Sequence, residues 1–205
     1  MIKPSTDNLY EYLKEDIIID FNDSIIRNTA DLLYEKAENK TQYIMLAFEF
    51  VRDRIPHSAD IDADEVTITA SEVLKVGHGI CFAKSHLLAA LLRSKGIPAG
   101  FCYQKLILDD DTAPYLICHG LNGVYIEKLN KWIRLDARGN KGGINAVFST
   151  DKEHLAFPIR SVLGERDGAN VYSSPDPKII HQMKKYKSRR ELWTDLPQEL
   201  ENDDL

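Results

Sequence analysis

The sequence predicts an α+β fold, with helices in the first part of the chain and an antiparallel β-sheet after them. Apolar residues recur at roughly helical spacing within residues 1–60 and again across 81–93. Three runs typical of strands follow, at 99–108, 116–126 and 132–136. Because only short turns separate these runs, we expect the strands to pair antiparallel.

The composition fits one domain, or one domain with extensions, in a chain of 205 residues of which 43% are hydrophobic. With a net charge of -6 the chain has no excess of basic residues, so nucleic-acid binding is not favoured. No apolar run approaches the roughly 18 residues of a membrane span, and none follows the N-terminus as in a signal peptide. We therefore expect a single domain, 1–205, divided into a helical N-terminal region (1–60), a core (61–160) and a C-terminal loop and helix (161–205).

The three cysteines indicate free thiols in a reducing compartment, which predicts a cytoplasmic location. Their small, odd number does not suggest a disulfide scaffold, and without a CxxC pair no structural zinc site is expected. Acidic residues at Asp60, Asp62, Asp64 and Glu65 are spaced faintly like a calcium loop, but the glycine and terminal glutamate of such a loop are missing. We expect neither a metal nor a cofactor.

Local signals mark the ends of the first predicted helices. Asp23 or Ser24 is suited to cap the first helix. The second ends near Ile55, because the following proline disfavours helix at that residue. Ser71 is suited to cap a short third helix that runs through Leu74.

The fourth helix begins at Cys81 and stops at Gly96, a position suited to a left-handed cap, with Pro98 following. After the three strands, 147–148 and 155–157 are candidates for further short strands. A last helix is predicted over 176–192, where apolar residues alternate with a basic cluster that we interpret as a solvated face.

Three residues of the predicted core form a candidate site for acyl transfer. Cys81 begins the fourth helix, His119 lies in the second strand and Asp136 ends the third. The reactive form of cysteine is the thiolate, which the unpaired N–H groups of a helix N-terminus stabilise. A histidine can take and return the proton, and a carboxylate can orient the imidazole. Since antiparallel strands can bring residues 17 positions apart side by side, His119 and Asp136 could meet.

Each of these residues also has a purely structural interpretation. A cysteine that opens an apolar helix is often a small core residue. A strand histidine can be a hydrogen-bonded core group, and an aspartate at a strand end commonly begins a turn. Spacing alone leaves the choice open.

The remaining histidines and cysteines are weaker candidates. His57 and His78 are interpreted as loop residues, and His86 lies about 140° around the helix from Cys81, which points it away. Cys102 and Cys118 are expected to be buried in strands.

An oxyanion hole at this site would use the backbone N–H of Cys81, which the start of a helix presents. Gln104 and Tyr103 are candidates for a second donor only because of their proximity in the predicted sheet.

Several stretches agree in order and spacing with one family. They are 71–75 (SEVLK), 79–81 (GIC), 91–99 (LLRSKGIPA), 119–126 (HGLNGVYI) and 131–137 (KWIRLDA). Together they resemble the core of the transglutaminase-like superfamily, papain-like enzymes that include transglutaminases, peptide N-glycanases and many bacterial cysteine peptidases. The resemblance implies a nucleophile helix packed on an antiparallel sheet. It also implies Cys81 as nucleophile, His119 as general base and acid, and Asp136 as the residue that orients His119.

The chain departs from the family pattern beside the histidine. Gly120 and Leu121 stand where the family often has Ala-Trp, and Gly123 stands where an acid is common. These changes remove bulk near His119, leave the three candidate residues in place and alter the expected substrate preference. Asn122 is expected either to support the site by a hydrogen bond or to lie at a turn or strand edge.

The resemblance implies thiol chemistry on the amide of a peptide or protein, without a cofactor. Resolution of the thioester by water would give a peptidase or amidase, and resolution by an amine a transglutaminase. We favour hydrolysis, because water is abundant and no feature of the sequence indicates a binding site for an amine substrate. One alternative is a non-catalytic protein- or peptide-binding module that keeps the fold. Another is an arylamine acyltransferase, but the stretches 71–75 and 91–99 fit the transglutaminase-like core better. The oligomeric state is left open.

Overall fold

The main sheet of the computed structural model, which describes residues 2–202, has four antiparallel strands. The strands are, in chain order, β1 (Lys3–Pro4), β2 (Ala99–Asp109), β3 (Ala113–Ile126), β4 (Lys131–Leu135), β5 (Arg166–Asp167) and β6 (Asn170–Val171). The main sheet has the order β4-β3-β2-β5, and β1 pairs with β6 in parallel. The predicted α+β class and the antiparallel pairing of the three long strands are confirmed.

Six α-helices are found within residues 2–202, four before the long strands and two after them. They are α1 (Ser24–Tyr34), α2 (Lys40–Arg54), α3 (Ala70–Val76), α4 (Cys81–Arg93), α5 (Pro177–Lys185) and α6 (Arg189–Trp193). The predicted cap of α1 is confirmed, because Asp23 accepts a hydrogen bond from the N–H of Ile25. Helix α2 ends one residue before Ile55, as the proline signal predicted.

Helix α3 begins at a different cap from the predicted one. Its N-cap is Thr69, which accepts a hydrogen bond from the N–H of Glu72 at 3.2 Å while the Glu72 carboxylate accepts from the N–H of Thr69 at 3.0 Å. The predicted cap, Ser71, lies inside the helix, where its hydroxyl donates to Asp20 at 2.5 Å. The Ser71 hydroxyl, which was predicted to cap the helix, therefore hydrogen-bonds to Asp20, a residue distant in sequence.

Helix α4 runs through the core; it begins at Cys81, as predicted, and ends at Arg93, shortly before the predicted stop at Gly96. Every residue from Phe82 to Arg93 is buried, because α4 packs against α1, α2 and α3 as well as against β2 and β3. After the helix, Gly96 adopts the left-handed φ of 67° that the sequence predicted. Such burial on all sides fixes the position of the first residue of α4 relative to the sheet.

The register of the sheet brings the end of β4 beside the middle of β3. His119 on β3 lies opposite Gln104 on β2. Strand β4 pairs with β3 up to the partners Leu135 and Asn122, so that Asp136, the next residue, follows directly beside β3. This arrangement places Asp136 near His119 although 17 positions separate them.

The C-terminal part of the chain differs from the prediction in two places. The single helix predicted over 176–192 is wrong, because Tyr186 is extended (φ -119°, ψ 143°) and separates α5 from α6. The strands predicted at 147–148 and 155–157 are also wrong: this segment contributes only an isolated bridge between Val147 and His154. Residues 203–205 of the predicted C-terminal segment lie outside the described residues.

The acidic segment before α3 anchors α6. Asp62 is ion-paired with Arg189 and Arg190, each at 2.8 Å, and Asp64 accepts a hydrogen bond from the Ser188 hydroxyl. In residues 2–202 no group of histidine, cysteine and acidic side chains is arranged to hold a metal ion. The same residues include no helix long and apolar enough to cross a membrane.

Candidate active site

Cys81 is the first residue of α4, at an N-terminus that no side chain caps. The N-cap residue, Ile80, cannot offer a side-chain acceptor to the N–H groups of the first turn. Those groups are therefore available to a thiolate or to an anion that forms beside it. Cys81 is partly exposed, whereas Cys102 and Cys118 are buried, as predicted for the two strand cysteines.

His119 and Asp136 form a buried pair. The Nε2 atom of His119 lies 2.9 Å from Oδ2 of Asp136, and the residues are 4% and 1% exposed. The Asp136 carboxylate also accepts hydrogen bonds from the N–H groups of Arg138 (3.1 Å) and Ala156 (3.2 Å). The imidazole of His119 packs edge-on against Phe157, with ring centroids 5.1 Å apart. The ring is thus fixed by a hydrogen bond and by packing.

The charges around His119 favour its protonated form. Burial opposes protonation, but the Asp136 carboxylate and the Cys81 side chain outweigh burial and raise the pKa of His119 to about 10. Burial would raise the pKa of Asp136, yet the charge and hydrogen bond of His119 hold it below its ordinary value. Cys81 thus interacts electrostatically with His119, which couples the thiol to this pair. The arrangement can hold a thiolate beside an imidazolium.

A cavity of about 470 Å³ opens beside these side chains. Its walls are mainly apolar, and they come from α4, β2, β3, the segment after β4 and the end of α6. The apolar lining includes Ile80, Phe82, Leu106, Leu108, Ile117, Ile144, Phe157, Pro158, Trp193 and Leu196. Cys81, His119, His57 and Arg138 face the same cavity.

Arg138 connects the segment that follows Asp136 to Asp60 by an ion pair. Its guanidinium donates to both carboxylate oxygens of Asp60, at 2.5 and 2.9 Å, and Lys141 donates to the same carboxylate at 2.7 Å. Burial would raise the pKa of Asp60, but these cations outweigh burial and lower it to about 2. This charged cluster joins the loop after β4 to the loop after α2.

Lys84 ties helix α4 to the same two loops. Its Nζ atom is fully buried and donates to the carbonyl of Ile55 and, at 2.8 Å, to that of Arg138. Burial, followed by the charge of Arg138, lowers the pKa of Lys84 to about 7. Lys84 lies one turn after Cys81, so these bonds fix the start of α4 against the segment after Asp136.

The unusual residues beside His119 are explained by what packs over them. A Cβ atom at Gly120 would lie 2.5 Å from the ring of Phe82, and one at Gly123 would lie 2.5 Å from Val171. Leu121 belongs to a small apolar cluster with Tyr12, Cys102 and Val171. Phe82 of α4 and Val171 of the β1–β6 pair therefore occupy the space that side chains at positions 120 and 123 would need.

The other polar candidates are engaged away from the cavity. Gln104 donates to Asp167 at 2.8 Å, and the Tyr103 hydroxyl accepts from the N–H of Asp176 at 2.8 Å, so neither side chain lines the cavity. His86 hydrogen-bonds the carbonyl of Ile68 inside the core, as its direction on the helix predicted. Asn122 is wholly buried and donates to backbone carbonyls of α4 and β2, so the strand-edge alternative is wrong.

Three residues that the sequence analysis did not single out also line the cavity. His57 was interpreted as a loop residue, and no signal had marked Arg138 or Trp193. They come from the loop after α2, the segment after β4 and the C-terminal helix. The pair Arg138-Gly139, which follows Asp136 and Ala137, is the local feature that could have marked Arg138.

A search of curated proteins returned no match to this chain. Among solved structures, the chain is similar to a candidate cysteine protease from Cytophaga hutchinsonii, with 18% identity and a TM-score of 0.54 over 65% of this chain and 43% of that one. It is also similar to a candidate protease from Parabacteroides distasonis, with 14% identity and a TM-score of 0.40 over 74% of this chain and 30% of that one. The chain thus spans less than half of either protein. The first similarity is one of fold.

A family comparison covers the candidate site directly. The family description that matches residues 27–137 is that of the transglutaminase-like superfamily, and the match takes in just over half of the chain. It extends from α1 to the residue after Asp136, and so includes Cys81 and His119. With the fold shared by the Cytophaga protein, this match shows that the chain belongs to the transglutaminase-like superfamily.

Proposed function

We propose that the protein is a thiol enzyme that acts on amide bonds through an acyl-enzyme on Cys81. The observation that carries this proposal is the arrangement around one cavity: Cys81 at an uncapped helix start, with the buried His119–Asp136 pair beside it. A dead site has no physical reason to keep a partly exposed thiol next to a buried, hydrogen-bonded histidine and carboxylate.

In the proposed reaction the thiolate sulfur of Cys81 attacks the amide carbonyl carbon, and the carbonyl π electrons move to the oxygen. When the tetrahedral intermediate collapses, the C–N bond breaks and the amine leaves with a proton from the His119 imidazolium. Asp136 keeps the imidazole in one orientation and stabilises its charged form. The product on the enzyme is a thioester.

We propose that water resolves this thioester. His119, now neutral, removes a proton from water as the oxygen attacks the thioester carbon. Release of a carboxylic acid then restores the thiolate and the imidazolium. An amine in place of water would give transamidation. Hydrolysis is favoured because the acidic side chains of the lining are already engaged: Asp110 and Glu165 pair with Arg160, and Asp109 accepts hydrogen bonds from Thr112.

The lining favours a peptide or protein substrate with an apolar side chain near the scissile amide. The cations at the cavity are already paired: Arg138 with Asp60, and Arg160 with Glu165 at 2.5 Å. Aromatic and aliphatic side chains make up most of the remaining wall. Three free thiols fit a reducing, cytoplasmic setting.

The rival is a peptide-binding module that retains the fold. Alkylation by iodoacetamide at pH 7, followed by mass spectrometry of the peptides that contain each cysteine, separates the two. We expect Cys81 to react at least ~10-fold faster than Cys102 and Cys118, whose thiols have their pKa raised by burial to about 12. His119→Ala should remove this advantage, whereas His86→Gln, which changes a histidine outside the cavity, should not.

Turnover tests the chemistry itself. Fluorogenic peptide amides with an apolar residue before the scissile bond should be cleaved by the wild type and left intact by Cys81→Ala. An acid quench should trap a Cys81 thioester detectable by intact mass. A Cys81 that labels no faster than the two buried cysteines would refute the enzyme and favour the binding module.

A further inference from the structure

A second histidine is held at the reactive end of the cavity. His57 is 5% exposed and lines the same cavity as Cys81. Its backbone forms a parallel bridge with Gly79, two residues before Cys81, and the N–H of Ser58 donates to the Gly79 carbonyl at 3.1 Å. These bonds fix the backbone of His57 relative to the start of α4.

One hydrogen bond determines which nitrogen of His57 carries the proton. The N–H of Ala59 donates to Nδ1 of His57 at 3.3 Å, so Nδ1 is an acceptor. In a neutral imidazole the other nitrogen then bears the hydrogen, which makes Nε2 a donor. Within residues 2–202, Nε2 makes no hydrogen bond. An N–H without a partner, on a largely buried side chain that lines a cavity, is suited to an acceptor on a bound substrate.

The charges around His57 keep the ring neutral. Burial, followed by the guanidinium of Arg138, lowers the pKa of His57 well below its ordinary value, and Lys84 and His119 act in the same direction. Asp60 acts in the opposite direction, but Arg138 and Lys141 already bind its carboxylate. A neutral imidazole can polarise a carbonyl by donating its N–H, without competing with His119 for the thiol proton.

We propose that His57 supplies the second hydrogen-bond donor of the oxyanion hole, through Nε2–H, beside the backbone N–H of Cys81. The inference rests on the proposed acyl-enzyme function. As the Cys81 sulfur bonds to the carbonyl carbon, the π electron pair moves to the oxygen, and the two N–H groups hold the negative charge. No proton is transferred to the oxygen, and the C=O bond re-forms when the amine leaves.

Two reagents separate this role from a structural one. Acetylation of Cys81 by p-nitrophenyl acetate passes through a tetrahedral oxyanion, whereas alkylation by iodoacetamide displaces iodide at a methylene carbon and forms none. Both rates can be followed at Cys81 by mass spectrometry. The variants are His57→Ala, His57→Gln, whose amide can place an N–H near the Nε2 position, and His78→Gln, a nearby histidine that does not line the cavity.

We expect His57→Ala to slow acetylation by about 10²- to 10³-fold, the loss typical of one oxyanion-hole donor, with alkylation unchanged. His57→Gln should recover part of the acetylation rate, and His78→Gln should match the wild type in both reactions. Equal slowing of both reactions in His57→Ala and His57→Gln would overturn the proposal, because His57 would then act by supporting the thiol. Unchanged acetylation in His57→Ala would overturn it as well. A wild-type Cys81 that is slow in both reactions would instead refute the proposed enzyme.

Discussion

The Cα of Gly120 lies so close to Phe82 that a Cβ atom at position 120 would be 2.5 Å from the aromatic ring. Gly120 follows His119, and Phe82 follows Cys81, so this contact joins the strand of the histidine to the helix of the cysteine. The contact holds the two candidate catalytic residues at a fixed separation, and it explains why a glycine stands where the family often has an alanine.

The first prediction concerns this contact. Gly120→Ala should destabilise the protein by about 1–3 kcal/mol, the usual cost of overpacking a core, and should slow alkylation of Cys81 because α4 must shift. Urea unfolding measures the stability. Gly142→Ala is the matched control, since nothing lies within 4 Å of a Cβ atom at that position. The combination with Phe82→Leu should restore part of the stability. Equal stability of the two single alanine variants would show that the sheet and helix are not closely packed here.

The second prediction concerns the role of Asp136. Asp136→Asn keeps the shape of the side chain but removes its charge, so the imidazolium of His119 loses its main stabilising partner. We expect the rate of Cys81 acetylation to fall by about 10²- to 10⁴-fold and the pKa of His119, followed by NMR, to fall from its raised value.

Asp151→Asn, which neutralises an exposed carboxylate, serves as the control for Asp136→Asn. An Asp136→Asn variant with an unchanged pKa of His119 would show that Asp136 does not set the charge state of the imidazole.

The third prediction is a dependence of stability on pH. The pKa of His119 is raised to about 10 in the folded protein, against about 6.5 in an unfolded chain. Between these values the folded state holds a proton that the unfolded state has lost, so the free energy of unfolding falls as pH rises. The contribution of His119 is fully present below about pH 6.5 and is lost as pH rises through about 10.

Urea unfolding from about pH 6 to about pH 10 measures this dependence in a Cys81→Ala background, because a thiolate formed on folding would release a proton and offset the one that His119 holds. In that background the double variant His119→Gln/Asp136→Asn removes both titrating groups but keeps a neutral pair of similar shape. The Cys81→Ala protein should lose more stability over this range than the protein that also carries the double substitution. Parallel curves would show that the buried pair does not take up a proton on folding.

The elements next to the candidate site could be predicted from local patterns, because the forces that set them are local. The apolar repeat of 81–93 and the glycine after it defined α4 with its bounds, since a helix depends on side-chain periodicity and on its caps. The strands of His119 and Asp136 were likewise marked by short turns, which allow only antiparallel neighbours. The organisation as one domain, with boundaries at 60 and 160, stays a prediction.

Predictions failed where a distant partner decided the local structure. Both Thr69 and Ser71 can cap a helix, and Asp20, from a remote part of the chain, engages Ser71. Between the two C-terminal helices, where the predicted single helix is broken, the N–H of Val66 donates to the Lys187 carbonyl at 3.1 Å and the N–H of Arg189 donates to the Asp64 carbonyl. Short-range periodicity contains no information about such contacts.

By itself, the sequence determined the fold class, the helix that begins at Cys81 and the three candidate residues, because residue type and spacing along the chain express these features. Only the tertiary structure decided that His57, Arg138 and Trp193 share a cavity with Cys81. It also decided that a glycine must follow His119. These relationships join segments far apart in sequence, and their energies come from burial, packing and charge in three dimensions, which a one-dimensional pattern does not record.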